Sequence, residues 1–125
     1  ERGVVAEGPV GAHALGRLRM FRYEVRCWAG GSIPDLDAAV GGPVRVAGTP
    51  EAAHEVVGLV ASFPTYTWGR DESRTGEMWN SNSLVSWLLT LAAVDVDDLQ
   101  PPAGGRAPGW DAGRIVASRM LTADG

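Results

Sequence analysis

At 125 residues, with 45% hydrophobic and 21% charged residues, the chain has the size and composition of one folded domain, and it is long enough to bury a core without disulfides or structural metals. Its net charge is −4 and its eleven basic residues, all arginine, are scattered, which argues against a nucleic-acid-binding protein. With one cysteine, two histidines and no phosphate-binding or dinucleotide-binding glycine motif, we expect no disulfide, no metal and no cofactor.

The sequence carries no recognisable targeting signal. No apolar run approaches the roughly 18 residues that a membrane-spanning helix requires, and no signal-peptide pattern opens the chain. We therefore expect a soluble protein without a membrane span; the sequence does not specify a compartment, although we favour the cytoplasm. Because residue 1 is glutamate and not methionine, we also expect that an N-terminal segment precedes it.

Several short segments have the composition of β-strands, and the clearest is residues 19–28. There, Tyr23, Val25 and Cys27 alternate with charged residues, a period of two that gives a strand one packed face and one charged face. We expect Cys27 to be a small buried hydrophobe on the packed face and Glu24 to form surface ion pairs with the arginines beside it. The other segments predicted to be strands are 4–6, 43–47, 65–68 and 115–117.

Two helices are predicted, at residues 50–63 and 81–93. The first begins at Thr49-Pro50-Glu51, which supplies an N-cap hydroxyl, a proline in the first turn and an acid. Its apolar residues recur at helical spacing, so one face should be buried. The second is the most apolar helical stretch in the chain, and we expect it to be the central buried helix, capped by one of the polar residues that begin it.

Together these elements predict a single α+β domain over residues 1–125, with a small, mostly antiparallel sheet packed by two main helices. The loop at 101–109 is rich in proline and glycine, and residues 119–125 should form a frayed tail. The chain has no repeats or low-complexity tracts, so nothing divides it into two domains.

The strongest candidate for a functional site is the polar segment Asn80-Ser81-Asn82-Ser83 at the start of the second helix. Amide groups in the first turn of a helix lack intrahelical partners and carry partial positive charge, so they can hold a ligand or stabilise an oxyanion. Asn and Ser are also preferred N-cap residues, and one cap would suffice where four polar residues stand. Capping alone, a ligand-binding cluster and a serine nucleophile are all open for this segment.

Three segments in a fixed order resemble one uncharacterised bacterial family. They are Arg22-Tyr23-Glu24-Val25, the polar segment at 80–83, and Pro101-Pro102-Ala103-Gly104-Gly105. They are similar to the RYEV strand, the GPNSNTF helix start and the PPTAIGKD segment of the family called domain of unknown function 3750, over residues 22–111. The chain departs from that family at Met78-Trp79 (Gly-Pro), at Ser83-Leu84 (Thr-Phe) and at Arg106 (Lys), which weakens a shared activity more than a shared fold.

Asn-Ser-Asn at the start of a buried helix also resembles the Asn-Cys-Asn helix start of the permuted papain-like (NlpC-type) hydrolases. The resemblance implies a permuted papain-like core, with a nucleophile on the first turn of a helix and a histidine base that precedes it in the chain. Ser81 would occupy the cysteine position and attack amide or ester bonds. Because a serine hydroxyl ionises far above neutral pH, Ser81 would need an adjacent base.

The chain has two histidines that could serve as that base. His54 is on the predicted polar face of the first helix, beside Glu51 and Glu55, so we expect it to be solvated. His13 precedes the RYEV strand, as the permuted arrangement requires, and is the candidate catalytic base. Its Gly-rich surroundings are nevertheless unlike a strand, and a base in a segment before residue 1 is the alternative.

Other residues near the helix start complete the candidate site. Asn80, Asn82 and Ser83 would contact the substrate or the oxyanion. Arg106 would either bind a carboxylate or phosphate or be a surface-loop arginine without such a role. Three tryptophans in neighbouring loops would either pack in the core or line a ligand pocket, with Trp79 closest to the helix start: Trp68, Trp79 and Trp110.

Three functions are consistent with these observations. The first is a hydrolase-like domain with Ser81 as nucleophile, the second a non-catalytic module that binds a small molecule or peptide, and the third an accessory subunit whose Trp-bearing loops form a protein interface. Whether the chain is an enzyme is left open. A histidine within hydrogen-bond reach of Ser81 would favour catalysis, and a Ser81 without one would favour binding.

Overall fold

The computed structural model describes residues 4–27, 49–94 and 106–124. Within these ranges the chain forms two β-strands and three α-helices: β1 (Val4–Pro9), β2 (Arg22–Arg26), α1 (Pro50–Leu59), α2 (Ser81–Leu91) and α3 (Trp110–Asp124). The α+β class predicted from the sequence is therefore confirmed. The strand predicted at 43–47 and most of the Pro/Gly loop lie outside the described residues.

The predicted period-two strand is β2. It pairs antiparallel with β1, which includes the segment predicted at 4–6. Tyr23 and Val25 point into the core, at 6% and 4% exposure, and Arg26 donates to Glu24 at 2.9 Å on the opposite face. The packed face and the surface ion pair are confirmed, whereas Cys27, just beyond β2, is only partly buried.

The helix α1 is capped as predicted, because the Thr49 hydroxyl accepts from an amide of the first turn at 3.1 Å. Its predicted buried face is only half-buried: no residue of Pro50–Leu59 is fully buried, and Val57 is 58% exposed. A 3-10 turn at Val60–Ser62 then leads to Phe63, a core residue at 3% exposure. The apolar spacing identified the helix correctly but overstated how deeply it packs.

The helix α2 is the central buried helix, as predicted. It contacts both α1 and α3. Its buried residues combine apolar and hydroxyl side chains: Ser83, Ser86, Trp87, Leu88 and Leu89. Serine is polar and is rarely found on a buried helix face; here both serines contact the start of α3.

The largest difference from prediction is α3. The sequence predicts a strand at 115–117 and a frayed tail at 119–125, yet residues Trp110–Asp124 form one helix. The strand prediction is wrong because a short apolar run is equally compatible with a buried helical segment. Val116 and Ala117 are buried in the core beside α2, and residues 119–124 continue the helix.

The core is rich in aromatic side chains. Phe63 stacks on Trp79 with ring centroids 5.2 Å apart, and Tyr23 stacks on Trp68 at 4.2 Å. The segment 65–68 is not a strand, because within it only Trp68 pairs, through isolated bridges to the residue after β1 and to Trp79. These ring contacts join the sheet to the segment that precedes α2.

Candidate functional site

The polar segment at 80–83 serves first as the cap of α2. Asn80 is the N-cap, and its Oδ1 accepts from the N–H groups of Asn82 at 2.9 Å and Ser83 at 3.2 Å. Ser83 completes a capping box, since its Oγ accepts from the Asn80 N–H at 3.0 Å. The predicted capping role is confirmed.

The remaining polar groups of the segment bind the chain that leads into α3. The Nδ2 groups of Asn80 and Asn82 both donate to the carbonyl oxygen of Pro108, each at 2.9 Å. The Ser83 hydroxyl donates to the carbonyl oxygen of Gly109 at 2.8 Å. The surplus of polar residues beyond a cap is therefore explained by bonds to backbone 26 to 28 residues away.

A close approach of the two helices accompanies these bonds. The Ser86 hydroxyl donates to the carbonyl oxygen of Trp110 at 2.6 Å, and both Ser83 and Ser86 are fully buried. A Cβ atom on Gly113 would overlap the Ser86 hydroxyl and the Ser83 carbonyl group, so a larger residue would push the helices apart. We call this contact the helix joint, formed by Asn80, Asn82, Ser83 and Ser86 on one side and by residues 108–110 and Gly113 on the other.

The predicted catalytic pair is not brought together by hydrogen bonds. Ser81 is the first residue of α2 and is exposed, and its hydroxyl has no hydrogen-bond partner in the described part of the chain. His13 begins an exposed 3-10 turn at His13–Arg17, after β1. The described residues thus offer Ser81 no bonded base, and its role as a nucleophile stays a prediction.

His13 lies near a carboxylate. The N–H and hydroxyl groups of the fully buried Thr67 donate to the two oxygens of Glu72, both at 2.7 Å. These bonds hold the pKa of the Glu72 carboxyl below its usual value, and the nearby charges of His13 and Arg70 lower it further. Burial raises the pKa of the Tyr23 phenol far above its usual range, and the charge of Glu72 adds to that rise.

The structure also places the other residues that were considered for the site. Trp79 has no exposed surface, and its indole N–H donates to the carbonyl oxygen of Pro64 at 3.0 Å; of the two roles expected for it, core packing is the one observed. Arg106 is exposed and bonds to no other described residue. His54 is exposed on α1, as expected.

The sequence did not indicate a hollow that lies along α3. We call it the α3 cleft; it measures about 900 Å³ and is bounded by the loop residues 75–77 and by one face of α3: Asp111, Arg114, Ile115, Ser118, Arg119 and Thr122. These positions recur every three or four residues, as one face of a helix does. A prediction of helix at 115–117 would have revealed this face.

The loop beside the α3 cleft is held by many hydrogen bonds. The Asp71 carboxylate accepts from the N–H groups of Thr75 at 2.8 Å and Gly76 at 2.9 Å. These bonds, that from Thr75 most of all, hold the pKa of Asp71 below its usual value. Hydrogen bonds made by Glu77 and Arg119 also tie the loop to α3. Glu77 Oε1 accepts from the Asp111 N–H at 3.0 Å, and Arg119 donates to the carbonyl oxygen of Ser73 at 2.6 Å.

Within the ranges described, no group of three or more His, Cys, Asp or Glu side chains is arranged to hold a metal ion, and no helix is long and apolar enough to cross a membrane. Comparison of the chain with known protein families, with characterised proteins and with solved structures finds no match. The resemblances to domain of unknown function 3750 and to permuted papain-like hydrolases therefore stay predictions from the sequence.

Proposed function

We propose that this domain is a non-catalytic binding module that takes a peptide segment into the α3 cleft. The observation that carries the proposal is the cleft itself, a hollow of about 900 Å³ whose walls are one helix face and a fixed loop. The polar segment at 80–83, by comparison, has little capacity left to bind a ligand or to catalyse a reaction. Three of its four side chains are occupied by backbone groups, and its exposed Ser81 has no bonded base in the described ranges.

The shape of the cleft suits an extended peptide better than a compact small molecule. Its α3 wall runs from Asp111 to Thr122, which is about 16 Å at 1.5 Å per residue. An extended peptide of about five residues spans the same length. A drug-sized ligand is usually enclosed over most of its surface, whereas this wall is the side of a helix at the molecular surface.

The chemistry of the walls suggests a peptide of mixed polarity. Ile115 is the one large apolar residue among the described lining, and charged side chains flank it along the helix: Asp111, Arg114 and Arg119. An apolar anchor would contact Ile115. Charged groups on the peptide would set its direction by competing for the exposed Asp111–Arg114 pair at 3.6 Å, since Arg119 already donates to carbonyl groups of the loop.

The fixed loop also favours binding. Because Asp71 holds the loop from inside and the Glu77 and Arg119 bonds hold it against α3, little conformational entropy remains to be lost when a ligand docks. A preformed groove of this kind binds peptides without a closing motion.

The proposal is tested by selecting peptides from a random phage-displayed heptapeptide library on the immobilised domain. The affinity of selected peptides is then measured by fluorescence anisotropy. We expect Ile115→Arg to weaken binding by about tenfold or more, because it places a charge at the apolar anchor. Leu121→Arg is the matched control, since Leu121 is on the same helix, 48% exposed and not part of the cleft lining.

Circular dichroism melts of both variants establish that they remain folded. If no peptide is enriched, or if the selected peptides bind Ile115→Arg and Leu121→Arg equally well, the α3 cleft is not a peptide site and the proposed function is wrong.

A further inference from the structure

A second hollow, the sheet cleft, lies against the charged face of the β1–β2 sheet. It measures about 420 Å³ and is bounded by β1, by the start of β2 and by the 3-10 turn that follows β1. Its polar lining consists of Glu7, His13, Arg17 and Arg22. No residue of this hollow takes part in the α3 cleft or in the helix joint.

Basic side chains from two separate elements converge on the sheet cleft. His13 and Arg17 come from the 3-10 turn and Arg22 from β2. One acid shares the lining: Glu7 lies 3.6 Å from Arg22, with side chains 45% and 35% exposed. Among the described residues, Glu72 is a further acid near His13, and both its oxygens are already bonded to Thr67.

The guanidinium groups of the sheet cleft are weakly engaged. Arg17 is exposed and has no hydrogen bond or ion pair with any described residue. The Glu7–Arg22 pair is long and half-exposed, and such pairs contribute little because water and salt screen them. Arg119 of the α3 cleft differs, since it donates to the backbone carbonyl groups of Ser73 and Arg74.

The turn that carries His13 and Arg17 is held firmly against β1. Gly16 packs on Pro9, where a Cβ atom would come within 2.8 Å of the proline Cβ. The Arg70 side chain also donates to the carbonyl oxygen of Gly11 at 2.6 Å, just before the turn. These contacts fix the backbone from which the His13 and Arg17 side chains extend.

We propose that the sheet cleft binds a phosphate group, held by the guanidinium groups of Arg17 and Arg22 with the His13 imidazole as a third donor. Phosphate presents several oxygens to the planar fork of donors that each arginine offers, and charge-assisted bonds of this kind are strong. A doubly charged oxyanion outcompetes the Glu7 carboxylate for Arg22, because it carries more charge and reaches Arg17 at the same time.

If the sheet cleft binds phosphate, two substitutions should change the phosphate affinity in opposite directions. Arg17→Gln removes a donor and should weaken phosphate binding by about fivefold or more. Glu7→Gln removes the competing carboxylate and should tighten it. A purely structural role for these residues would not produce opposite signs. Arg74→Gln, an exposed arginine outside the sheet cleft, is the matched control and should leave the affinity unchanged.

The experiment is a titration of the ¹⁵N-labelled domain with inorganic phosphate at fixed pH and ionic strength, followed by amide chemical shifts, with chloride as the reference anion. Saturable shifts at residues 13–17 and 22 are expected. A parallel titration with glycerol 3-phosphate distinguishes a free ion from a phosphomonoester ligand, the better ligand being the one that saturates at lower concentration.

Three outcomes would overturn the proposal: shifts that follow chloride equally, an affinity that Arg17→Gln leaves unchanged, or a Glu7→Gln variant that binds phosphate more weakly than the wild type. None of these depends on whether the α3 cleft binds peptides, so the two proposals stand or fall separately.

Discussion

The two faces of α3 both meet polar side chains, yet they use them differently. On the inner face, the hydroxyl and amide groups of α2 bond to carbonyl groups at residues 108–110, and both serines involved are fully buried. On the outer face, charged side chains line an open cleft. A run of polar residues at a helix start therefore indicates a binding site only where its hydrogen-bonding capacity is not already taken by the protein's own backbone.

The inner face also explains why small hydroxyl residues occupy a buried helix. The Gly109 carbonyl oxygen already accepts from the Gly113 N–H at 3.3 Å, so the serines bring additional donors to the start of α3. The carbonyl groups in turn satisfy the buried hydroxyl groups, each of which would cost about 1–3 kcal/mol without a partner. Ser83 and Ser86 supply hydrogen-bond donors on small side chains, and Gly113 on the facing helix has no side chain, so the two helices can approach closely. Polarity and close packing are thus parts of one helix contact.

The largest expected effect on stability comes from adding a side chain at Gly113, between the two helices. Gly113→Ala should lower the free energy of unfolding by about 3 kcal/mol, because the added methyl group overlaps the Ser86 hydroxyl and the Ser83 carbonyl group. Urea denaturation followed by circular dichroism measures the loss.

Gly58 is the matched control, since it also lies in a helix but an added Cβ would meet nothing within 4 Å. Gly58→Ala should raise the free energy of unfolding by about 0.5–1 kcal/mol through helix propensity alone. Equal effects of the two substitutions would contradict the close packing described for the helix joint.

A smaller effect is expected from Ser83→Ala. The substitution leaves the Gly109 carbonyl and the Asn80 N–H groups without their side-chain partner, and we expect a loss of about 2 kcal/mol in the free energy of unfolding. Ser81→Ala, on the exposed side of the same turn, should change it by less than about 0.5 kcal/mol.

Ser81→Ala also separates the binding module from the hydrolase hypothesis. We expect the wild-type domain to be unreactive toward a fluorophosphonate probe, because a serine without a base is a poor nucleophile. Labelling of the wild type that disappears in Ser81→Ala would show that Ser81 is activated and would contradict a non-catalytic role.

The smallest expected effect is on the pH dependence of stability, through Glu72 in the loop that precedes α2. The lowered pKa of Glu72 means that folding favours its charged form, so its contribution to stability is present above the unfolded carboxyl pKa, about 4.3, and is lost as the pH falls through the lower folded value. The melting temperature of the wild type should therefore fall more steeply than that of Glu72→Gln between about pH 5 and pH 3. Parallel curves for the two proteins would be inconsistent with the bonds between Thr67 and Glu72.

The elements that were predicted correctly have local signals. The period of two in β2 and the Thr49-Pro50 start of α1 are each contained within a few residues. The start of α3 has no such signal, because the acceptor for its Asp111 N–H group is Glu77, 34 residues earlier. The polar segment at 80–83 was recognised, but its partners at Pro108 and Gly109 are equally remote in the chain. The helix α3 was not predicted, so neither its contact with α2 nor its open side could be predicted.

The glycines of the helix joint have a consequence for recognising related chains. Gly109, one residue before α3, adopts a φ of +91°, and Gly113 within α3 admits the α2 backbone. A G-x-x-x-G spacing across the start of α3 should therefore accompany the S-x-x-S spacing of Ser83 and Ser86 in α2. A chain that shares only the Asn-Ser-Asn start lacks half of this requirement. Searching for both spacings together would therefore separate true structural relatives from coincidental helix caps.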